Sequence, residues 1–340
     1  MNDSQRIDFY ATHIQYLDHI LPVWEKLPER NKGNFYVSYK LHKYLEKKDI
    51  EIENQNPIIN LNSENNAERL MYCASHINLQ NARERYGRKV IYTEHGVGQS
   101  YSGIKHKSYI GGERARVVAI FVPGEKQAAQ QEYYYPTIPV YPIGVPKLDK
   151  YHAAKKKPKN ENTVCVSFHW DCQLLPETRS AFIYYKSALA QLAKMDKEYN
   201  LVGHGHPNQK SRFEKFYQSI GIPFIDNFFD VIDEASLYVC DSSSTIYEWI
   251  SLERNVVLLN APFYRRDVEH GMRFWEHADM GINCNKKKEL NDSIIEALNR
   301  PNDFDERRKE IVSDVFATTD GNASQLAADA IVETIEKWAD

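Results

Sequence analysis

The stretch Ala235–Pro262, ASLYVCDSSSTIYEWISLERNVVLLNAP, decides the fold. Ser236 to Cys240 reads as a short buried strand, rich in β-branched and aromatic residues. Asp241 and the serines Ser242, Ser243 and Ser244 close it, and a short helix follows. Glu253, Arg254 and Asn255 end that helix, and Val256 to Leu259 is a second buried strand. A strand–turn–helix–strand unit of this kind predicts two parallel strands joined by a crossover. Its turn then lies at the carboxyl end of a strand, where open α/β sheets take their ligands. Unpaired N–H groups at the helix start, with the hydroxyls of Ser242, Ser243, Ser244 and Thr245, suit a phosphate or diphosphate. The same residues also fit plain capping, since Thr245 with Glu248 makes a capping box and serines are ordinary N-caps.

Outward from this unit the pattern repeats. Toward the N-terminus, strands are expected at Arg6–Ala11, Asn34–Ser38, Ile58–Leu61, Arg69–Ala74, Lys89–Thr93, Val117–Val122 and Pro139–Ile143, with helices between most of them. The alternation argues for a doubly wound parallel sheet. Tyr151 to Asn162 (YHAAKKKPKNEN) is polar and lysine-rich and reads as a solvated linker. A second series follows: strand Thr163–Phe168, helix Glu177–Asp196, strand Tyr199–Gly203, helix Ser211–Ile220, strand Ile222–Ile225 and the unit quoted above. Helices at Lys288–Asn299, Phe304–Val315 and Ala323–Trp338 complete the chain. The expected architecture is therefore α/β, with an N-terminal domain over 1–150, a linker over 151–162, a second domain over 163–316 and a terminal helical segment over 317–340. The two α/β domains would face a cleft.

A length of 340 residues favours two domains over one core. A hydrophobic fraction of 42%, a charged fraction of 26% and a net charge of −4 describe a soluble globular chain with no global pull toward nucleic acid or anionic membrane. The five cysteines are odd in number and include no CxxC pair, which fits reduced buried thiols in a cytoplasmic protein. No apolar run approaches the ~20 residues of a membrane span, and no signal sequence opens the chain.

Several loops could carry chemistry. Glu94-His95-Gly96-Val97-Gly98 follows a strand, and its glycines would let the backbone turn sharply beside a ligand. A histidine there can take a proton from a hydroxyl near neutral pH. Glu94 either orients His95 or is a solvated loop carboxylate, and the second reading is preferred. Gly203-His204-Gly205-His206-Pro207 also follows a strand; without a carboxylate or cysteine at ligand spacing, a metal is not expected. His206, fixed before proline, would donate to a phosphate oxygen, while His204 would do the same or pack. His169 ends the first strand of the second domain, and Arg265, Arg266 and Arg273 are candidate diphosphate clamps. There is no GxGxxG after a strand, no GxxxxGK[ST], no HExxH and no GxSxG, which counts against dinucleotide oxidoreductases and P-loop kinases.

Six motifs occur in one order: His95-Gly96, GVPKLDKY at Gly144–Tyr151, VSFHWD at Val166–Asp171, GHP at Gly205–Pro207, CDSSSTIYEW at Cys240–Trp249 and DGNAS at Asp320–Ser324. In this the chain resembles the CDP-glycerol glycerophosphotransferase family of teichoic-acid polymer enzymes. Members of that family read WHG, G-[YF]-P-x-x-D, APTW, a histidine–proline pair, and DYSS followed by an acidic residue. The resemblance runs from about His95 to the C-terminus. It implies a GT-B fold of two Rossmann-like domains, with the donor bound mainly by the second and the acceptor by the first. It further implies His95 as the base on the acceptor hydroxyl, with Gly96 beside it. His206 would contact the donor diphosphate, Ser242 and Ser243 would bind phosphate with Ser244 and Thr245 adjacent, and Glu248 would take the ribose hydroxyls. By analogy the last helix crosses back to the first domain. No metal or other cofactor is implied, because backbone dipoles and histidines would meet the diphosphate charge.

The departures are EHGVG for WHGTP, CDSSS for DYSS, and SFHWD for APTWR, which loses an arginine. They leave the donor open between a CDP-polyol and a nucleotide sugar, and the acceptor open among hydroxyl-bearing polymers and glycans. A phage-type glycosyltransferase acting on DNA bases, a nucleotide-sugar epimerase and a non-catalytic nucleotide-sugar-binding module are the alternatives. Nucleic acid is disfavoured as a partner by the acidic balance and the absence of a basic–aromatic stripe.

Overall fold

The computed structural model describes residues 5–57, 69–97, 112–154, 157–173, 176–266 and 275–339. The expected strand Ile58–Leu61, Gly98 and Arg273 lie outside them. The chain divides into two compact units: the first holds the described residues up to Val97, from 112 to Ala153 and from Asp314 onward, the second those from Ala154 to Ser313.

In the first unit the strands are β1 (Ile7–Ala11), β2 (Lys32–Val37), β3 (Gln55–Pro57), β4 (Leu70–Ala74), β5 (Val90–Thr93), β6 (Ala119–Val122) and β7 (Val140–Pro142). They form one sheet in the order β3-β2-β1-β4-β5-β6-β7, parallel at every pairing. The helices are α1 (Ile14–Lys26), α2 (Tyr39–Lys48), α3 (His76–Gln80), α4 (Glu125–Tyr134) and α5 (Asp149–Ala154). A strand buried on both faces must be apolar at odd and even positions alike, and β1 shows this. Ile7, Phe9 and Ala11 join Leu17, Ile20, Val23 and Trp24 of α1 in one core, whereas Tyr10 joins Tyr36, Met71, Cys73 and Tyr92 in another. Phe9 packs edge-on to Trp24 with ring centroids 5.0 Å apart. Asp8, with no exposed surface, is balanced by Arg88 at 2.5 Å and by the Asn34 N–H at 2.8 Å.

The second unit has β8 (Thr163–Phe168), β9 (Asn200–Gly205), β10 (Leu237–Cys240), β11 (Val256–Leu259) and β12 (Ile282–Cys284), ordered β12-β11-β10-β8-β9 and again parallel throughout. Its helices are α6 (Phe182–Leu192), α7 (Lys210–Ser219), α8 (Phe228–Glu234), α9 (Thr245–Ile250), α10 (Leu290–Asn299) and α11 (Asp305–Val315), the last of which ends within the first unit. The quoted stretch is thus a β10–α9–β11 crossover with Tyr238 opposite Val256.

Several boundaries differ from the sequence reading. β9 runs on through His204 and Gly205, because Gly203 and Gly205 admit the Tyr217 and Phe213 rings of α7 against the strand; an added Cβ would lie 2.3 Å from each. Ile222–Ile225 makes only a single bridge, from Phe224 to Gly203. Tyr151 to Ala154 is helical, and Lys159 and Asn160 hold Glu234 on α8 at 2.5 and 3.3 Å, so the expected linker is helical at one end and docked at the other.

The terminal helix α12 (Ala323–Ala339) belongs to the first unit, where Ala327, Ala328, Ile331 and Ile335 share the core of α1. Its N-terminus is capped from a distance. Asp149 accepts hydrogen bonds from the Ala323 N–H at 3.0 Å and the Ser324 N–H at 2.7 Å. Gly144 and Gly321, both at positive φ, bring the two segments together, and a Cβ on either would stand within 2.9 Å of the other segment. GVPKLDKY and DGNAS are therefore two halves of one helix cap. Asp149→Ala is expected to lower the unfolding free energy by about 1–2 kcal/mol, the ordinary value of a lost cap. Asp149→Asn, which keeps one acceptor oxygen, should cost less. Urea denaturation of both variants checks this.

Candidate functional site

The order of the second sheet reverses between β8 and β10, and such a switch point leaves a crevice at the carboxyl ends of the two strands. Asp241 sits there without solvent surface. Its Oδ1 accepts from the N–H groups of His169 and Ser242, each at 2.7 Å, and its Oδ2 from the Ala181 N–H at 2.8 Å and the Ser180 hydroxyl at 3.2 Å. One carboxylate thus ties the end of β8, the start of α6 and the serine turn into one frame.

Within the turn, Ser243 Oγ accepts from the Thr245 hydroxyl at 2.8 Å and the Thr245 N–H at 3.3 Å. The cap of α9 is Ser244, whose side chain makes no capping bond. The expected Thr245–Glu248 box is absent because Thr245 already lies inside the helix. The N–H groups of Ser243 and Ser244 have no acceptor among the described residues. Two amide donors and the flanking hydroxyls therefore remain beside the crevice. Glu248 is only 1% exposed, so a ribose would reach it only after local rearrangement.

Two histidines border the turn. The rings of His169 and His206 meet edge to face, 4.9 Å between centroids. His206 Nδ1 accepts from the Asn208 N–H at 3.2 Å, which places the neutral ring's proton on Nε2, the tautomer that donates to an anion. Desolvation lowers the His169 pKa, opposed by the Asp241 carboxylate. His204 belongs elsewhere: it lies on the face of β9 opposite Gly203 and Gly205, its Nδ1 is 2.8 Å from the Ile225 carbonyl, and its ring stacks near Phe224. It packs. Arg265 is also engaged, its guanidinium and backbone N–H gripping the buried Glu177 at 2.5–2.8 Å. The expectation of a free diphosphate clamp at Arg265 is corrected accordingly. Arg266, at φ 56°, is exposed and bonds Asn285 Oδ1.

In the first unit, His95 follows β5 and is exposed. Desolvation by crowding protein nonetheless lowers its pKa; the Glu94 carboxylate opposes this, and the charges of Lys147 and Arg114 reinforce it. Glu94 is not a solvated loop residue: it pairs with Arg114 at 2.8 Å and accepts from the Tyr92 hydroxyl at 3.1 Å. Gly96 has no left-handed φ and a Cβ there would meet nothing within 4 Å, so that position does not require glycine, and Gln127 Nε2 holds its carbonyl at 3.2 Å.

Sequence reasoning missed the neighbours of His95. Tyr16 meets its ring edge-on at 5.4 Å, His13 meets Tyr16 at 5.7 Å, and His19 lies 6.3 Å from His95. The helical spacing of these α1 residues gave no sign of a site, because contact with β5 is long-range. Thr12 and Asn78, joined at 2.6 Å, mark the switch point of this sheet between β1 and β4. Among the described residues no group of three His, Cys, Asp or Glu side chains is arranged to hold a metal ion. All five cysteines are buried and none forms a disulfide, and no described helix is long and apolar enough to cross a membrane.

Burial holds the His19 pKa well below 6.5, with Lys147 and His95 adding to the effect. Native His19 therefore stays neutral while the unfolded chain takes up a proton below pH 6.5, so stability is full above that pH and falls as pH drops toward the lowered value. The loss is up to about 1.4 kcal/mol per pH unit for one such group. Urea midpoints between pH 7.5 and 5 should show this decline, and His19→Gln should flatten it.

No family model matches the chain, and no curated protein matches it. Solved structures do. The wall teichoic acid polymerase TagF, in a histidine-to-asparagine variant soaked with CDPG, superposes with a TM-score of 0.64 at 12% identity, covering 100% of this chain and 92% of that one. The S. aureus MnaA–UDP structure gives 0.61 at 14% identity, covering 94% of each chain. The UDP-GlcNAc 2-epimerase from Neisseria meningitidis bound to UDP-GlcNAc gives 0.55 at 14%, covering 98% of this chain and 100% of that one. At such identities the likeness is one of fold, and the fold is the two-domain α/β arrangement of the GT-B enzymes.

Proposed function

We propose that the chain is a transferase that moves a polyol phosphate or a sugar from a nucleotide-diphosphate donor to an acceptor hydroxyl. The observation that supports it best is the donor set at the β8–β10 switch point. The Ser243 and Ser244 amides, the serine hydroxyls and the Nε2–H of His206 are gathered around a frame fixed by Asp241. A diphosphate is a dense acceptor of hydrogen bonds, and donors already in place stabilise the charge that builds on it as the bond to the transferred group breaks. In this reading the histidines and amides meet that charge, and no metal step is invoked.

His95 is assigned the role of general base. Its lowered pKa keeps it neutral at pH 7, so its ring can take the acceptor's proton. With a CDP-polyol donor, the acceptor oxygen attacks the polyol-bearing phosphorus, the bridging P–O bond breaks and CMP leaves. With a nucleotide sugar, attack falls on the anomeric carbon, the C–O bond breaks and a nucleoside diphosphate leaves. In both, the proton passes to His95. The cytoplasm, where activated nucleotides and reduced cysteines coexist, is the compartment this chemistry calls for.

A nucleotide-sugar epimerase is the second reading, favoured by the same fold in proteins whose structures hold UDP or UDP-GlcNAc. It needs no acceptor. The purified protein should therefore be incubated with CDP-glycerol, CDP-ribitol and UDP-, GDP- and dTDP-sugars, with and without polyol or glycan acceptors, and the products separated by ion exchange. Acceptor-dependent release of CMP or of a nucleoside diphosphate supports transfer; conversion of a sugar nucleotide without acceptor supports epimerisation. His95→Ala should slow turnover by about 10²–10⁴-fold with donor affinity retained. His206→Ala should lower kcat by about 10²-fold through loss of one donor to the leaving group. Full activity in His95→Ala would sink the assignment of the base.

A further inference from the structure

The amino end of the first sheet, opposite the end that carries His95, holds a cavity of about 460 Å³. Lys89 and Arg116 enter it from the segments before β5 and β6, Ile138 and Pro139 from the segment before β7, and Lys337 and Trp338 from the last turn of α12. Among the described residues no carboxylate lines it. Lys337 is paired with Glu333, which also accepts from the Tyr141 hydroxyl at 3.4 Å. Neither Lys89 nor Arg116 forms an ion pair among the described residues. Lys89 Nζ instead lies 5.5 Å from the centre of the Trp338 ring, which is 44% exposed.

A protein of net charge −4 that gathers three cations around one cavity, two of them unneutralised, sets up a local positive field against its overall charge. Val117, Ile138, Pro139 and the indole supply apolar wall, and Thr137, Tyr141 and Thr334 add hydroxyls. Cations, hydroxyls and a flat apolar wall around one cavity fit one ligand chemistry, a phosphate group attached to an apolar or planar body. We propose that this cavity is a second anion site that binds the phosphate of such a ligand, independently of His95 at the other end of the first sheet and of the donor site in the second unit. The phosphate has two sources, a free phosphorylated compound or the headgroup of an anionic lipid.

The test needs a signal from the cavity itself, because a donor site elsewhere would also take phosphate. Labelling the full chain with 5-fluorotryptophan gives one fluorine resonance for each of its five tryptophans, and Trp338→Phe assigns that of Trp338. Inorganic pyrophosphate, vesicles of phosphatidylglycerol in phosphatidylcholine, and pure phosphatidylcholine vesicles are then titrated in turn. A saturable shift of the Trp338 resonance with pyrophosphate identifies a site for free phosphates. A shift confined to the phosphatidylglycerol vesicles identifies a lipid headgroup site. Either effect should weaken by about fivefold for each cation removed, hence about twenty-five-fold in Lys89→Ala/Arg116→Ala. Unchanged resonances of the other four tryptophans report that this variant keeps its fold. A Trp338 resonance that ignores all three probes, responds equally to pure phosphatidylcholine, or shifts as strongly in the double variant overturns the proposal.

Discussion

A carboxylate without solvent surface, Asp241, sets the geometry on which the second unit's candidate site depends. An ion removed from water survives in a protein interior only when donors replace its hydration, and Asp241 has four within 3.2 Å. Those donors come from three segments that the chain joins only at long range. The bonds that solvate the carboxylate are therefore the same bonds that fix the serine turn against His169 and the start of α6. A turn held this way presents its free amides in one orientation, which is what a diphosphate contact requires.

The first unit uses the same device with different parts. Asp149 caps α12 across a sequence distance of more than 170 residues, and the cap keeps α12 over α1. A motif that reads as a chemical signature is, at Asp149, upkeep of the fold. Lys147, two residues earlier, has the opposite character: its charge adds to burial, the larger cause, in depressing the pKa of both His19 and His95. One short segment thus anchors a helix through Asp149 and, through Lys147, adds to the burial that favours neutral histidines. Fold and chemistry are not separable by motif.

Sequence periodicity revealed the parallel sheets well, because strands buried on both faces are written as continuous apolar runs such as VVAIFV and VVLL. It failed where tertiary contact overrode local pattern. The β9 strand continues through GHG because two aromatic rings of α7 need the glycines, so His204 became a packed residue rather than a loop ligand. The three-residue β12 was too short to stand out, and FFDVIDE in α8 lacked a long apolar repeat. The candidate residues His95, His206 and Ser242–Ser244 were visible because each follows a strand. The pairings of Glu94 with Arg114 and of Arg265 with Glu177 were not, since neither partner is near in sequence.

The two sheets also differ in how they treat their switch points. In the second sheet Asp241 mates four donors at the switch, and two amides and the buried His169 Nδ1 are left over. In the first sheet Thr12 is bonded to Asn78, but Ser75 stands at φ 74°, ψ 149°, a region that costs a side-chain-bearing residue about 1–3 kcal/mol. Ser75 Oγ and Asn78 Nδ2 are moreover buried without a hydrogen-bond partner. Strain and unmet polar groups of this kind are costly in a sheet's interior. Here they fall at the carboxyl end of β4, beside β5 and the loop that carries His95. These terms fall at the end of the sheet where α/β proteins bind ligands, while other unmet polar atoms, Trp24 Nε1 and Gln131 Oε1 among them, lie elsewhere in the same unit.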